Sequence, residues 1–283
     1  MSARTARAAI GACRTTYAEY AAIAAVNWST LREALKSGKH YQRALVTPQD
    51  ETDAMRLGRA THTAVFEPDR LLREYVVWEG GRRAGGDWEA FRAMHASRTI
   101  LKPEEYNTAL AIRDAVRGHK TAARLLRSGA PECTLTWTDG ATGLLCKARL
   151  DWFAPKALVD LKTTRDIEAR RFGRHAADML YHCQFAFASM GLLANGIKAA
   201  VKIIAVENEP PHDVAVYDLN DDVLWAGEVR VRAALDLVAE CRAQKRWPGR
   251  YADEQPLALP TWEFPHDDIE LELTMAGIGG RHD

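Results

Sequence analysis

The segment 131–164 constrains the fold of this 283-residue chain most, because three strand-like runs follow one another there. In ECTLTWT (132–138) and LLCKARLDW (144–152), apolar and polar residues alternate, which is the pattern of a half-buried strand. The third run, ALVDLKTT (157–164), is mostly apolar. The runs are separated by the turn sequences DGATG and APK, so the segment predicts a three-stranded antiparallel meander.

Helical periodicity dominates before the meander, and helices alternate with strands after it. This order predicts an α/β fold in which a mixed central β-sheet is flanked by helices. Apolar periodicity, N-cap residues and Gly or Pro stops mark the elements. The predicted helices cover 27–36, 53–66, 103–119 with a short continuation to 126, 178–194 and 220–246; the predicted strands cover 73–78, 199–207 and 213–219; and 80–88 is predicted to be a loop.

The chain is long enough for one large domain with a substantial core. We predict a single domain over 26–252, divided into a helical part, 26–130, and a catalytic sheet core, 131–252. Residues 1–25 are predicted to be an N-terminal extension, and residues 253–283, which are rich in Asp and Glu, a C-terminal tail.

Composition restricts the partners of the protein. The 38 Lys and Arg residues balance 38 Asp and Glu residues, so an anionic partner would have to meet a local basic patch. The 5 cysteines are widely spaced and form no CxxC, which predicts free thiols in the cytoplasm and argues against a zinc or iron–sulfur framework. No run approaches the ~18 apolar residues of a membrane span, so we expect no membrane contact and no signal peptide.

Asp160 and Lys162 interrupt the third strand and fall on one of its faces, because side chains alternate along a strand. A short hairpin makes Asp151 a cross-strand neighbour of Asp160. Two carboxylates that close repel each other unless a positive charge lies between them, and oxygen ligands favour a hard divalent cation such as Mg²⁺ or Mn²⁺. Lys162 would then stabilise negative charge on a phosphate or lower the pKa of an attacking water. A surface salt bridge of Asp160 with Lys162 or Lys147 is the alternative interpretation.

A resemblance to a known family rests on two runs, CTLTWTDGATGLLCKARLDWFAPKALVDLKTT (133–164) and YHCQFAF (181–187). They are similar to the nuclease domain of RecE-type exonucleases (exodeoxyribonuclease VIII). These enzymes belong to the PD-(D/E)XK superfamily, together with phage lambda exonuclease and the RecB nuclease domain. LGRATHTAVFEPD (57–69) resembles the G-x-x-x-H helix of the family, and VNWSTLREALKSGKHY (26–41) its N-terminal Ser-x-Leu helix. The resemblance covers roughly residues 26 to 250 and implies a restriction-endonuclease-like core.

The resemblance implies a catalytic centre on the two strands and the helix. Lys162, Asp160, Asp151 and Gln184 match catalytic positions. Gly58, one turn before the histidine, is expected to allow close approach. The implied metal ligands are His62, Asp151, Asp160 and the backbone carbonyl of Leu161.

The chain departs from the family pattern at two positions. Leu150 precedes Asp151 where the family has proline, and Ala188 stands where the Q-x-x-x-Y helix has tyrosine. Tyr181 lies on the same helical stripe and is expected either to replace that tyrosine near DNA or to pack at the edge of the core. Glu132 resembles a further acid of the family pattern.

Phosphate contacts are expected from basic side chains near the acids, because such contacts give sequence-independent affinity. For each of them a solvated charged face is the alternative. Trp28, Trp88 and Tyr41 are candidates for stacking on a base, with core packing as the alternative. The predicted DNA-binding residues are Lys147, Arg149, Arg165 and Tyr181, with further arginines at 82, 83, 170, 171 and 174.

A competing candidate metal site consists of His175, Asp178 and His182, because their i, i+3, i+7 spacing would suit zinc on one helix face. These residues straddle the predicted start of a helix, which argues against a shared face. Neither a G-x-S-x-G nucleophile motif nor a phosphate-binding loop occurs, so other hydrolase classes receive no support.

The resemblance implies a Mg²⁺-dependent exonuclease, with Mn²⁺ as a substitute, that digests double-stranded DNA ends from 5′ to 3′. Such an enzyme leaves 3′ single-stranded tails for phage-type recombination in a bacterial or phage-infected cell. A single-strand annealing protein is the expected partner, and a trimeric or tetrameric ring the expected assembly. The alternatives are a structure-specific or single-strand nuclease of the same superfamily, and a DNA-end-binding protein with a decayed site.

Overall fold

A five-stranded sheet lies at the centre of the protein, whose computed structural model describes residues 15–47, 52–154 and 156–263. The strand order in the sheet is the order in the chain. The first three strands form the predicted antiparallel meander, the third and fourth strands are parallel, and the fifth is antiparallel to the fourth. The predicted α/β class with a mixed central sheet is therefore confirmed. The sheet consists of β3 (Ala130–Thr138), β4 (Leu145–Ala154), β5 (Ala157–Thr164), β6 (Ala200–Glu207) and β7 (Val214–Leu219).

Helices precede the sheet, cross between its parallel strands and pack against both of its faces. The first seven are α1 (Tyr17–Ala22), α2 (Trp28–Leu31), α3 (Gly38–Val46), α4 (Asp53–Phe66), α5 (Pro68–Glu74), α6 (Gly86–Met94) and α7 (Pro103–Gly118). The others are α8 (Lys120–Leu125), α9 (Ala169–Asp178), α10 (Tyr181–Ala194) and α11 (Asp221–Gln244), with 3₁₀ turns at Arg32–Leu35 and Thr261–Glu263.

A second, two-stranded sheet lies in the helical part. Its strands β1 (Tyr75–Val77) and β2 (Thr99–Leu101) are parallel. The sequence predicted β1 but neither β2 nor α6, and the predicted loop over 80–88 ends where α6 begins at Gly86. Both elements have weak sequence patterns: β2 has three residues, and no residue of α6 is buried.

The central sheet separates two cores. On one face, Leu135, Leu158 and Ile203 pack with α10 and α11. On the other face, Val159 and Ile204 pack with the ends of α4 and α7. Successive residues of β5 therefore enter different cores, which explains why the strand reads as almost continuously apolar. Asp160 and Lys162 interrupt the row that Leu158 begins.

β4 changes its alternation beside Asp151. Cys146 and Leu150 belong to the core under α10, whereas Trp152 and Ala154 pack in the other core, although strict alternation would place all four on one face. The irregularity has a counterpart in β3, where Glu132 adopts a left-handed conformation with φ 54°.

The crossover from β5 to β6 contains two helices where the sequence predicted one over 178–194. α9 ends at Asp178, and α10 begins at Tyr181, because Leu180 between them takes a left-handed conformation with φ 58°. α9 buries only Phe172 and is otherwise rich in arginine. Its apolar pattern is too sparse to mark a helix.

Three cysteines, Cys146, Cys183 and Cys241, are free and buried as predicted. Cys133 takes part in a disulfide, so the prediction of free thiols is wrong for that residue. Among the described residues, no helix is long and apolar enough to cross a membrane. The predicted extension and tail fall largely outside the described residues, at 1–14 and 264–283.

Candidate active site

His62, Asp151, Asp160 and Lys162 converge where α4 meets β4 and β5. The Nδ1 atom of His62 lies 3.1 Å from Oδ2 of Asp151. The ammonium of Lys162 lies 2.8 Å from Oδ1 of Asp160. The sequence placed these residues on three separate elements, and the structure brings the predicted four side chains into one cluster.

Sheet register and one aromatic stack produce this convergence. Trp152 pairs with Val159 in the antiparallel hairpin of β4 and β5, so Asp151 and Asp160 are opposite neighbours. α4 is held against β4 by the stacked rings of Phe66 and Trp152, whose centroids are 5.9 Å apart. His62 precedes Phe66 by one helical turn, which directs its ring to the same strand. The space that Gly58 was predicted to create plays no part, because a Cβ there would meet nothing within 4 Å.

The two carboxyl groups titrate in opposite directions. Burial and the neighbouring Asp151 carboxylate raise the pKa of Asp160 to about 6. Burial also opposes ionisation of Asp151, but the nearby charge of His62 outweighs it and holds the pKa of Asp151 below its usual range. Asp151 and Asp160 thus differ in basicity because only Asp151 lies at ion-pair distance from the imidazole of His62.

The acids favour the protonated forms of the two basic groups of the cluster. Burial disfavours the imidazolium of His62, but the Asp151 carboxylate prevails and raises its pKa. The pKa of Lys162 is likewise raised, because the Asp160 and Asp151 charges exceed the effect of burial. The cluster therefore carries charges of both signs, which compensate one another in a largely buried setting.

Gln184 connects the acid to the lysine, as the resemblance implied. Its Nε2 donates to Oδ2 of Asp160 at 3.4 Å, and its Oε1 accepts from the ammonium of Lys162 at 3.3 Å. The rings of Tyr181 and Phe185 flank the ammonium at 4.8 and 5.7 Å from their centroids. The first turn of α10 therefore fixes the position of the Lys162 side chain.

The donor set suits a divalent cation. Oδ2 of Asp151 and Oδ1 of Asp160 are buried and have no partner in hydrogen-bond geometry, although His62 and Lys162 lie at ion-pair distance from them. Buried carboxylate oxygens without hydrogen bonds are the ligands that a hard cation would satisfy. In the part of the chain that the structure describes, no three His, Cys, Asp or Glu side chains are already arranged around one ion position. Metal binding would therefore require the His62 and Lys162 contacts to open.

Leu161, whose backbone carbonyl was predicted as a ligand, lies between the two polar residues of β5. Its side chain is fully buried in the core beneath α4. Only the backbone of this residue is left to take part in the site.

Glu132 lies opposite Asp151 across the β3–β4 ladder, since its neighbours Pro131 and Cys133 pair with Trp152 and Leu150. Its carboxylate accepts a hydrogen bond from Nε of Arg149. Burial and the Asp151 charge raise the pKa of Glu132. It is a neighbour of the cluster, and its partner in the structure is Arg149.

Lys147 corrects the predicted set of DNA-binding residues. Its ammonium donates to the backbone carbonyls of Tyr20, Ala21 and Ile23 at 2.8, 3.2 and 2.8 Å. The residue is only 4% exposed. Its charge stabilises the C-terminal end of α1, so a DNA phosphate cannot reach it.

The other predicted DNA contacts have different surroundings. Arg149 is paired with Glu132 and stacks over the ring of Tyr17 at 5.7 Å, and its Nη1 is buried without a hydrogen-bond partner. Arg165 is exposed beyond the end of β5. Tyr181 contacts Lys162 directly, which sets it beside the acids rather than on an outer surface.

The structure also shows where the predicted stacking residues and the residues of the competing zinc site lie. Tyr41 is fully buried, Trp88 packs against Trp78, and Trp28 borders the site. His175 packs edge-on against Tyr181. His175, Asp178 and His182 do not form a ligand group in the described structure.

Two cavities open on either side of the acids. The larger, of about 1080 Å³, reaches from His62 and Glu132 towards α3 and β1. The smaller, of about 270 Å³, reaches from Asp151 and Asp160 towards Trp28. Sequence reasoning did not single out Tyr20 or Arg32, which line the smaller cavity. They lie more than 100 residues before the acids, and no sequence pattern brings them there.

Comparison with known proteins identifies the family and the fold of the chain. Residues 27–255 match the model of a family described as a PDDEXK-like domain of unknown function (DUF3799). The chain belongs to this family. A crystal structure titled "Putative exonuclease", from Eubacterium rectale, has the same fold, with a TM-score of 0.54 and 14% sequence identity over 87% of this chain and 97% of that one. No curated protein matches significantly.

For such a nuclease signature, the sequence analysis predicted Asp151 and Asp160 as the acids and Lys162 as the lysine. Family membership and fold together suggest a nuclease. They support the PD-(D/E)XK superfamily, and they do not separate the RecE-type exonucleases from its other branches.

Proposed function

We propose that this chain is a metal-dependent double-strand DNA exonuclease that works from 5′ to 3′ and leaves 3′ single-stranded tails. The observation that carries the proposal is the convergence of one imidazole, two unequal carboxyls and one lysine at the edge of a cavity. Phosphodiester hydrolysis needs a group that holds the phosphate, a source of hydroxide and a cation near the developing charge. The cluster offers side chains for each task.

His62, Asp151, Asp160 and the carbonyl of Leu161 would hold Mg²⁺, for which Mn²⁺ substitutes. When bound there, the metal supplies Lewis-acid polarisation of the scissile phosphate and a water of lowered pKa. The unpartnered oxygens of Asp151 and Asp160 are the observation that supports this ligand set.

The chain's own residues position and stabilise the reacting groups. The Lys162 ammonium, released from Asp160, donates to the phosphate oxygen on which charge develops. Gln184 holds that ammonium and the Asp160 carboxyl at a fixed separation, because it bonds to both. Tyr181 and Phe185 exclude water from one side of the lysine, which strengthens its interaction with charge.

The end-directed mode, the 5′ polarity and the recombination role rest on the RecE-type resemblance. The E. rectale protein of the same fold is itself described as an exonuclease. A single-strand annealing protein would take over the 3′ tails, and a trimeric or tetrameric ring would retain the enzyme on its strand. A monomer in light scattering at micromolar concentration would contradict the ring.

Digestion of DNA with Mg²⁺ tests the proposal. Linear duplex labelled at its 5′ or 3′ end is compared with a closed circle of the same sequence, using the wild type, Lys162→Ala and Asp160→Ala. We expect the wild type to degrade only the linear form and release the 5′ label first, while both variants bind but do not cut. Cutting of the circle would favour a structure-specific nuclease, and undiminished cutting by either variant would refute the assignment.

A DNA-end-binding protein with a decayed site is the other outcome that this experiment can reveal. Only Ala188, at the position of a family tyrosine, points to decay, while both acids and the lysine remain in contact. Metal-independent binding without product release in Mg²⁺ or Mn²⁺ would support that alternative.

A further inference from the structure

The smaller cavity beside the acids has a floor of apolar side chains and a wall of carboxylates. Leu150, Leu158 and Phe187 form part of the floor, and Asp151 and Asp160 line the side nearest the cluster. Its volume of about 270 Å³ is close to the lower end of small-molecule sites, roughly 300 Å³. The cavity therefore has room for one aromatic ring system.

Small and aromatic side chains create this space. Ala188 on α10 lines the cavity with a single methyl group and is 6% exposed. Trp28 borders the same space and packs against Phe187, with ring centroids 6.4 Å apart. Tyr20 and Tyr181 add two more rings to the lining. Flat π surfaces around a narrow space favour a flat ligand.

The charges of the lining exclude an anion from this cavity. The ammonium of Lys147 is bound by three backbone carbonyls, and the guanidinium of Arg149 is paired with Glu132. A phosphate inside would meet the carboxylates of Asp151 and Asp160 at short range. A neutral ring meets no such repulsion.

Polar groups nevertheless face the mouth of the cavity. Arg32 has its nearest carboxylate, on Glu33, at 3.9 Å and keeps 35% of its side chain exposed, so its guanidinium can donate to a ligand. Burial raises the pKa of Tyr20 to about 12, so its hydroxyl stays protonated. A neutral ring with hydrogen-bonding edges matches these features.

We propose that the cavity receives the base of a nucleotide that flanks the scissile phosphodiester and has left the DNA stack. This inference rests on the proposed function, because the phosphate of that nucleotide could lie beside Asp151 and Asp160 only with the proposed cation between them. Each phosphate in DNA carries a nucleoside on either side, and the cavity begins at Asp151 and Asp160. The enzyme then acts on a strand whose base beside the cleaved bond is unpaired. Because this base must enter the cavity, the enzyme prefers DNA ends whose base pairs open readily.

Abasic nucleotides test the inference, since they keep the phosphates and remove one base. Binding is measured in an Asp160→Asn background, which suppresses cleavage, with linear duplexes that carry one abasic site at each of the first four positions from the end. We expect one position to weaken binding by about 5- to 150-fold, the range of one base stacked on aromatic side chains. Equal affinity for every duplex of the series would contradict the base-binding role of the cavity and leave the nuclease assignment intact.

Ala188→Tyr provides the second comparison, because the larger ring fills the cavity. In this variant the abasic penalty should fall to within about two-fold, since the base no longer has a site to lose. Ala194→Tyr, the same change at an exposed position of the same helix, should keep the penalty. An equal penalty in the Ala188→Tyr variant would contradict the proposal.

Photo-crosslinking decides the question even if Ala188→Tyr does not fold. 5-Iodouridine is placed at the sensitive position and irradiated with the Asp160→Asn protein. We expect the crosslink at Trp28, Tyr20 or Tyr181, and a crosslink only at residues outside the cavity would overturn the proposal. Failure of the wild type to bind or cut any DNA would instead refute the proposed function itself.

Discussion

Two buried lysines on neighbouring strands of one sheet show how the surroundings of a charge decide its role. Lys147 on β4 is 4% exposed, and its ammonium donates to three neutral backbone carbonyls and lies over the ring of Tyr20. Lys162 on β5 keeps 15% of its side chain exposed and lies against Asp160 at a cavity wall. Burial lowers the pKa of Lys147, whereas the acids raise that of Lys162 despite its burial.

This difference in surroundings distinguishes a lysine that stabilises the fold from a lysine that can take part in the reaction. A lysine surrounded by carbonyls at a helix C-terminus stabilises the fold and has no free face for a ligand. A lysine opposite two carboxylates can exchange its partner for a metal-bound phosphate, because its charge is balanced by groups that a cation would engage. The sequence predicted Lys162 as catalytic because it interrupts an apolar strand, and Lys147 as a DNA contact because it is a basic residue near the acids.

The largest expected effect is the loss of cleavage in Lys162→Met. Without the ammonium, the charge that develops on the phosphate loses its nearest donor, so kcat on linear duplex should fall about 10²- to 10³-fold. Lys147→Met is the matched control, and its kcat should stay within about three-fold once the protein is folded. Similar losses in both variants would remove the distinction between the two lysines.

The next effect concerns stability. Lys147→Met removes the three hydrogen bonds that its ammonium donates to backbone carbonyls, so the free energy of unfolding should decrease by about 1–3 kcal/mol. Urea unfolding followed by circular dichroism measures it, with Lys198→Met, at an exposed position, as the control. An unchanged urea midpoint for Lys147→Met would show that the carbonyl contacts contribute nothing.

A smaller effect is expected at the residue that orients Lys162. Gln184→Ala removes the hydrogen bonds to both Asp160 and Lys162, and kcat should decrease roughly 10-fold. Gln244→Ala, on the exposed side of α11 where the side chain bonds only to Glu240, is the matched control. Equal kcat values for the two glutamine variants would exclude a positioning role for Gln184.

The smallest effect should appear in the salt dependence of binding. Arg165→Ala removes an exposed cation beyond the end of β5, so the slope of log K against log[salt] should decrease by about 1. Lys147→Met should leave that slope unchanged because its ammonium does not reach DNA. A slope change with Lys147→Met and none with Arg165→Ala would reverse the assignment of the two residues.

Most of the predicted fold followed from local sequence patterns. The meander was predictable because β3 and β4 alternate and β5 is apolar, and α11 was predictable from its length and from Asn220, which caps it. The break at Leu180 was not predictable, since a left-handed residue other than glycine leaves no sequence signal. The short strand β2 was missed for a similar reason, because three residues are too few for a pattern.

The candidate site likewise contains residues that the sequence predicts and residues whose role it does not predict. His62, Asp151, Asp160 and Lys162 were predictable because each lies in a motif with fixed spacing. The role of Lys147 was not, because its partners lie more than 120 residues earlier in the chain. Contacts formed only by tertiary packing leave no trace in the local sequence.

The central claim is that His62, Asp151 and Asp160 share one metal ion. Titration of Mn²⁺, followed by calorimetry or electron paramagnetic resonance without DNA, tests it directly in the wild type, Asp151→Asn, Asp160→Asn and Lys147→Met. We expect saturable binding by the wild type, at least about 10-fold weaker binding by each acid variant, and no change in Lys147→Met. Wild-type Mn²⁺ affinity in Asp151→Asn or in Asp160→Asn would contradict the account.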